Sequence, residues 1–316
     1  MRNPIRSGAL PVALVALAAA PSFASAAAAS TNAPVRLVRI NGASATTVAG
    51  AKASVGVRIA FTPAAGVTSV DVVISRGGVK RQTKAVPLTI APSGAATAQS
   101  HVDVHAAGSY SVTVKAGATQ VGNTKTFLAL PSTLGPGASG ARVRALQSKL
   151  SQDKYVVGAA GQYDARTARA VEAANKRLGL PRTQTLTKSL ATRLAAGEGT
   201  WHVRFPGHGR HVEANLSLQD LALIDAGGKV ERIYPNSSGK PSTPTILGSF
   251  HVYRKDIGAN SEGMINSSYF IRGYAIHGYY DVPNYNASHG CLRVPIPDSL
   301  SIFNWVQYGT IVDVYR

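Results

Sequence analysis

The hydrophobic pattern of this 316-residue chain changes period twice, and no single core can serve both periods. Over 34–130 apolar residues recur in short alternating runs, at 35–40, 53–61, 69–75, 109–115 and 125–130. Turn-forming residues such as Gly77-Gly78 separate them. A Pro/Gly/Ser-rich linker follows at 131–140. Over 141–200 the spacing becomes helical. Val143, Leu146 and Leu150 share one face behind Ser139 as a cap, and a second helix opens at Asp164 with Ala168, Val171 and Leu178 aligned. A third follows Thr187, aligns Leu190 with Leu194 and stops at Gly197. Alternation returns at 211–218, 221–225, 230–234, 248–253, 269–276 and 310–315, with one helical stretch at 297–306. The expected division is therefore a β-sandwich of immunoglobulin type at 34–130, a linker at 131–140, a small all-α domain at 141–200 and a mainly-β domain at 201–316.

The first 26 residues read as an address. Arg2 and Arg6 precede an apolar run at 9–20, and Ala24-Ser25-Ala26 supplies a small-x-small cleavage pattern. The run falls short of the roughly 20 residues that cross a bilayer as a helix. The expectation is a signal peptide cleaved near Ala26 and an exported protein of the cell wall or periplasmic space, with no transmembrane helix in the mature chain; an uncleaved anchor is the alternative. The formal net charge is +18. Residues 201–316 hold ten Lys/Arg against nine Asp/Glu, so nearly all the surplus lies upstream. Such a field favours polyanions. For an exported chain these are wall carboxylates, wall phosphates or lipid headgroups rather than nucleic acid. His101 and His105, in a strand-rich segment, read as surface histidines.

Cys291 is the only cysteine. It cannot pair within the molecule, which leaves an inert thiol, an intermolecular disulfide or a nucleophile. Its setting, Ser288-His289-Gly290-Cys291-Leu292-Arg293, favours the nucleophile. A thiol attacks as thiolate and needs a base or cation beside it, which His277 and His289 can supply. Gly290 lets a carbonyl approach the backbone, and the N–H groups around Gly290 and Cys291 can face an oxyanion. Together these are the parts of acyl transfer. Zinc held by His277, His289 and Cys291 with His251 is the chemical alternative, but the tight paired spacing of zinc sites is missing, so no metal is expected. A papain-like order is excluded because His277 precedes Cys291.

Two resemblances rest on these residues. Residues 140–147, Gly161-Gln162-Tyr163-Asp164, Thr167-Ala168-Arg169-Ala170-Val171 and Gly179-Leu180-Pro181 resemble the three-helix peptidoglycan-binding domain. His277-Gly278 followed by Ser288 to Arg293, with Tyr234 to Lys240 and Thr243-Pro244-Thr245 upstream, resembles the catalytic domain of the L,D-transpeptidase family, the YkuD fold. That resemblance implies Cys291 as nucleophile, His277 as general base, the Gly278 carbonyl as its orienting group and His289 as an electrostatic and positioning partner. Ser288, Gly290 and Arg293 match positions that shape the pocket, and Tyr274 is a candidate for the cleft wall. It also implies that the chain cross-links peptidoglycan stem peptides through a thioester, taking a donor tetrapeptide, releasing D-alanine and passing the acyl group to an acceptor amine. No cofactor is needed, and carbapenem-type β-lactams become covalent inhibitors. The same residues serve an L,D-carboxypeptidase or cross-link hydrolase, and a wall-binding scaffold with a vestigial enzyme domain is the rival of another class.

Overall fold

The computed structural model of the protein describes residues 35–40, 46–50 and 53–316; the leader expected over 1–26 lies outside the described residues. Among the described residues nine strands come first: β1 Val35–Ile40, β2 Thr46–Val48, β3 Ser54–Phe61, β4 Ser69–Arg76, β5 Val79–Pro87, β6 Thr89–Ile90, β7 Ala96–Asp103, β8 Gly108–Ala116 and β9 Thr119–Leu130. They form two sheets, in the orders β1-β3-β7-β6 and β2-β9-β8-β4-β5. Alternation explains how they face each other. Val55, Val57 and Ile59 of β3 meet Val70, Val72 and Ile74 of β4 and Val112 and Val114 of β8 in one buried cluster.

Three helices follow, α1 Ala141–Gln152, α2 Ala165–Arg177 and α3 Lys188–Ala195. Asp164 caps α2 by accepting from Thr167 N–H, and Thr187 caps α3 by accepting from Leu190 N–H. The Ser139 cap expected for α1 is not made. Gly140 occupies that position at φ 88°, and no side chain caps the helix.

The C-terminal region holds β10 His211–Asn215, β11 Asp220–Ile224, β12 Val230–Pro235, β13 Gly248–His251, β14 Arg254–Ala259, β15 Ile265–Ile271, β16 Tyr274–Tyr279, β17 Leu292–Pro295, α4 Ile296–Trp305 and β18 Ile311–Tyr315. One sheet runs β12-β11-β10-β18-β13 and the other β14-β15-β16-β17. The single run expected over 269–276 is divided into β15 and β16 by a turn in which Arg272 takes φ 48°. Between the two sheets lies a core of Val212, Leu221, Leu223, Tyr234, Phe270, Ile276, Leu292, Ile302 and Val312.

The first of these sheets is covered on both faces, so β11 is buried at every position rather than alternating. Leu221 and Leu223 face the inter-sheet core, while Ala222 and Ile224 join Ile233 against Val143, Leu146, Leu150, Val171 and Leu194 of the helices. Three further contacts fix this joint. Lys154 O accepts from Ile233 N–H at 2.7 Å, so the chain after α1 lies along β12. Trp201 Nε1 donates to Glu213 at 2.7 Å. Lys176 of α2, almost wholly buried, places Nζ 2.6 Å from Asp220 and donates to Gln219 O. Burial dominates at Asp220 and raises its carboxyl above the ordinary range, with the Lys176 charge opposing. Among the described residues no helix is long and apolar enough to cross a membrane.

Candidate active site

Parallel pairing of β16 with β17 decides which side chains meet. Ile276 lies beside Leu292, His277 beside Arg293 and Gly278 beside Val294. Side chains in register share a face, and alternate residues along a strand share it too. Ile276, Leu292 and Val294 turn into the inter-sheet core. Ala275, His277, Cys291 and Arg293 therefore stand on the opposite face. Two short segments 14 residues apart thus deliver an imidazole and a thiol to one surface.

His277 is 3% exposed, and its Nδ1 lies 2.9 Å from the Gly278 carbonyl oxygen. A carbonyl only accepts, so Nδ1 carries the proton and Nε2 keeps its lone pair. Burial pushes the imidazole down to about 4; the Gly278 carbonyl opposes that shift and the Arg293 charge adds to it. His277 is thus neutral near neutral pH. Gly278 must be glycine for a reason outside the site. A Cβ there would come within 2.7 Å of Ser299 Cβ on α4.

Cys291 is half-buried beside Met264, Tyr269 and Ala275. Its Sγ lies 3.8 Å from the carbonyl of Gly273. Burial pushes the thiol above its ordinary value, Ala275 N–H and Arg293 favour the thiolate, and Glu262 disfavours it. Among the described residues no hydrogen bond joins Cys291 to His277, and burial favours the neutral form of each.

The turn before Cys291 is held from several sides. Ser288 is 1% exposed; its hydroxyl accepts from Gly290 N–H at 3.1 Å and donates to Cys291 O at 2.6 Å. Thr245 Oγ1 donates to Gly290 O and accepts from Gly239 N–H, each at 2.9 Å. Gly290 sits at φ 118°, and a Cβ there would fall 2.5 Å from the ring of Tyr274. One of these contacts changes an expected role. The N–H of Gly290 already has a partner in Ser288, so it is not the open oxyanion donor that the sequence suggests. Ser288 shapes the turn from inside, and Tyr274 packs over Gly290.

Arg293 stacks its guanidinium 4.1 Å from the centre of the Tyr279 ring and lies 3.8 Å from Asp281. Exposed His289 places Nε2 3.1 Å from Lys240 Nζ; the ammonium can only donate, so Nε2 accepts. His251 lies on β13, in the other sheet of this region. Sequence reasoning did not count Lys240 or Thr245 as site residues, although both fall within or beside upstream motifs it noticed. It had no signal for Glu172 and Arg182 of the helical region. Asn284, between β16 and Ser288, donates to Glu172, and Arg182 Nη1 donates to Asn284 O at 2.5 Å.

Residues 209–314 match the family model described as the L,D-transpeptidase catalytic domain, YkuD. The structure is similar to that of the L,D-transpeptidase (residues 123–326) from Xylanimonas cellulosilytica, at 31% identity and a TM-score of 0.53, covering 58% of this chain and 98% of that one. It is also similar to the C442S mutant of the Enterococcus faecium L,D-transpeptidase, at 27% identity over 34% of this chain and 50% of that one, with a TM-score of 0.30. An L,D-transpeptidase from Mycobacterium smegmatis matches at 15% identity over 90% of this chain and 100% of that one, with a TM-score of 0.31. No curated protein sequence matches the chain.

Proposed function

Because this chain belongs to the L,D-transpeptidase family, we propose that it cross-links peptidoglycan stem peptides outside the cytoplasm, with Cys291 as nucleophile and His277 as general base. The observation that carries this reading is how His277 is held, with Nδ1 2.9 Å from the Gly278 carbonyl oxygen. Its Nδ1 proton is committed to the Gly278 carbonyl, which leaves Nε2 as a proton acceptor on the face shared with Cys291.

The reaction follows from that pair. Cys291 Sγ attacks the carbonyl carbon of the diamino acid that is joined to D-alanine in a donor tetrapeptide. Since burial holds the thiol protonated and the imidazole neutral, the proton passes to His277 Nε2 as the C–S bond forms. The oxyanion is met by the N–H of Cys291, since that of Gly290 is already engaged. As the C–N bond breaks, the imidazolium returns the proton to the D-alanine nitrogen. A side-chain amine of a second stem then attacks the thioester, giving up its proton through His277 and restoring the thiol. Gly278 orients the base, and His289 with Lys240 sets the field at the mouth of the turn. A carbapenem-type β-lactam presents a strained amide to the same thiol and acylates it.

Mass spectrometry of muropeptides after incubation with purified protein tests this. Cross-linked dimers should form, and Cys291→Ala should abolish them. His277→Ala should cost on the order of a hundredfold or more in rate, with a much smaller loss for His289→Ala. Tripeptide products without dimers would replace the amine acceptor with water, and dimers from the Cys291→Ala variant would end the mechanism.

A further inference from the structure

Away from the thiol, the β-sandwich and α1 enclose a cleft of about 870 Å³. Its walls carry Arg76 and Arg81 from the β4–β5 hairpin, His105 from the loop before β8, and Arg142 and Arg144 from α1. A smaller adjoining cavity of about 360 Å³ shares Arg76, Arg81 and His105 and adds Asp103. All 15 acidic residues of the chain lie among the described ones, yet none forms an ion pair with any of the four arginines. Like charges gathered in a concave space repel one another, and an anion relieves that repulsion.

Three of these arginines are backed by main chain, which separates the cleft from a scatter of surface charge. Arg142 donates to Thr133 O at 2.8 Å. Arg76 lies along Gly108, where a Cβ would come 3.3 Å from its Cδ. Arg144 lies against Gly161, where a Cβ would come within 2.6 Å of its Nη1. Both glycines have positive φ, at 149° and 78°, so side chains are disfavoured at both positions. The start of α1 points the same way. Ala141 lines the cleft, no side chain caps the helix, and its first turn has no acidic residue.

We propose that this cleft between the sandwich and α1 binds a phosphate-bearing anionic polymer, holding the enzyme beside its substrate. Guanidinium groups pair two N–H bonds with phosphate oxygens, and several fixed along one cleft suit a chain with repeated charges. A concave cleft of this size fits a flexible polymer rather than a flat bilayer. That the polymer belongs to the wall rests on the function proposed above; the binding itself does not.

The test measures binding of fluorescent inorganic polyphosphate to the full chain by anisotropy across a salt series. Arg76→Gln with Arg144→Gln should weaken binding at least tenfold and flatten its salt dependence. A control, Lys188→Gln with Lys229→Gln, removes the same charge at exposed sites outside the cleft and should change affinity less than twofold. Equal weakening in the two doubles, or no binding by the wild type, overturns the proposal. Equal affinity for polyglutamate overturns the choice of phosphate, and binding only to phosphatidylglycerol vesicles overturns the polymer. Carbapenem acylation of Cys291, followed in parallel, should be unchanged in both doubles. Its failure in the wild type would sink the catalytic reading and leave the cleft standing.

Discussion

Gly278→Ala adds one methyl group where β16 meets α4. The new Cβ would lie 2.7 Å from Ser299 Cβ, 2.9 Å from Ser299 Oγ and 3.3 Å from Ile265 O. Carbon atoms pack at about 3.5–4.0 Å, so strand and helix must part by roughly 1 Å. Ser299 cannot turn aside freely, because its hydroxyl donates to Ile296 O at 2.9 Å and accepts from Asn266 Nδ2 at 3.0 Å. Gly278 does not have positive φ, so the cost is steric overlap, about 1–3 kcal/mol. The displacement also reaches the chemistry, since the Gly278 carbonyl holds His277 Nδ1. Urea unfolding should show a loss of about 2 kcal/mol, and carbapenem acylation should slow. Ser299→Gly removes the two nearest obstacles, so the double variant should recover at least about 1 kcal/mol as a coupling energy in a double-mutant cycle. Unfolding of Gly278→Ala within about 0.5 kcal/mol of wild type, or a coupling energy near zero, would refute the steric argument.

Three other predictions concern buried titratable groups. His277 is held at about 4, so the acid limb of the acylation rate should fall near pH 4 rather than near 6.5. The unfolded imidazole binds its proton first, so this group's contribution to stability is complete above about pH 6.5 and is lost as pH drops toward 4, on the order of 3 kcal/mol in all. A rate midpoint near 6.5 would refute the first statement, and equal wild-type and His277→Gln stability changes between pH 7 and 4.5 the second. Lys176→Met leaves Asp220 unpaired in the joint between α2 and β11 and should cost about 3–5 kcal/mol by urea unfolding, much of it restored by adding Asp220→Leu. A loss below about 1 kcal/mol would show that the pair does not hold the joint.

What the sequence revealed tracks how local each cause is. β3, β4 and β8 bury one face, so their alternation was plain. β5 is exposed at all but one of its nine positions and leaves no apolar rhythm to read. β11 lies between two layers, and its unbroken burial conceals the register. The run at 269–276 stayed apolar on both sides of a tight turn, so a hairpin looked like one strand. At the site, His277-Gly278 and the segment from Ser288 to Arg293 are contiguous motifs and were legible as a candidate site. The use of Gly290 N–H by Ser288, the Thr245 brace and the link from Asn284 to α2 arise only when distant segments fold together.

The apolar cluster that joins Leu128 and Leu130 through the helices to Ala222, Ile224 and Ile233 has a consequence for anyone who cuts this chain. A fragment begun at Trp201 uncovers one whole face of β11 and strands Asp220 without its cation. Exchange of amide hydrogens should find α1, α2 and α3 and the sheet β12-β11-β10-β18-β13 opening as one cooperative block, ahead of any separate release of residues 141–200. Chimeras with other enzymes should therefore be spliced before α1, where one transplanted piece keeps both sides of that face.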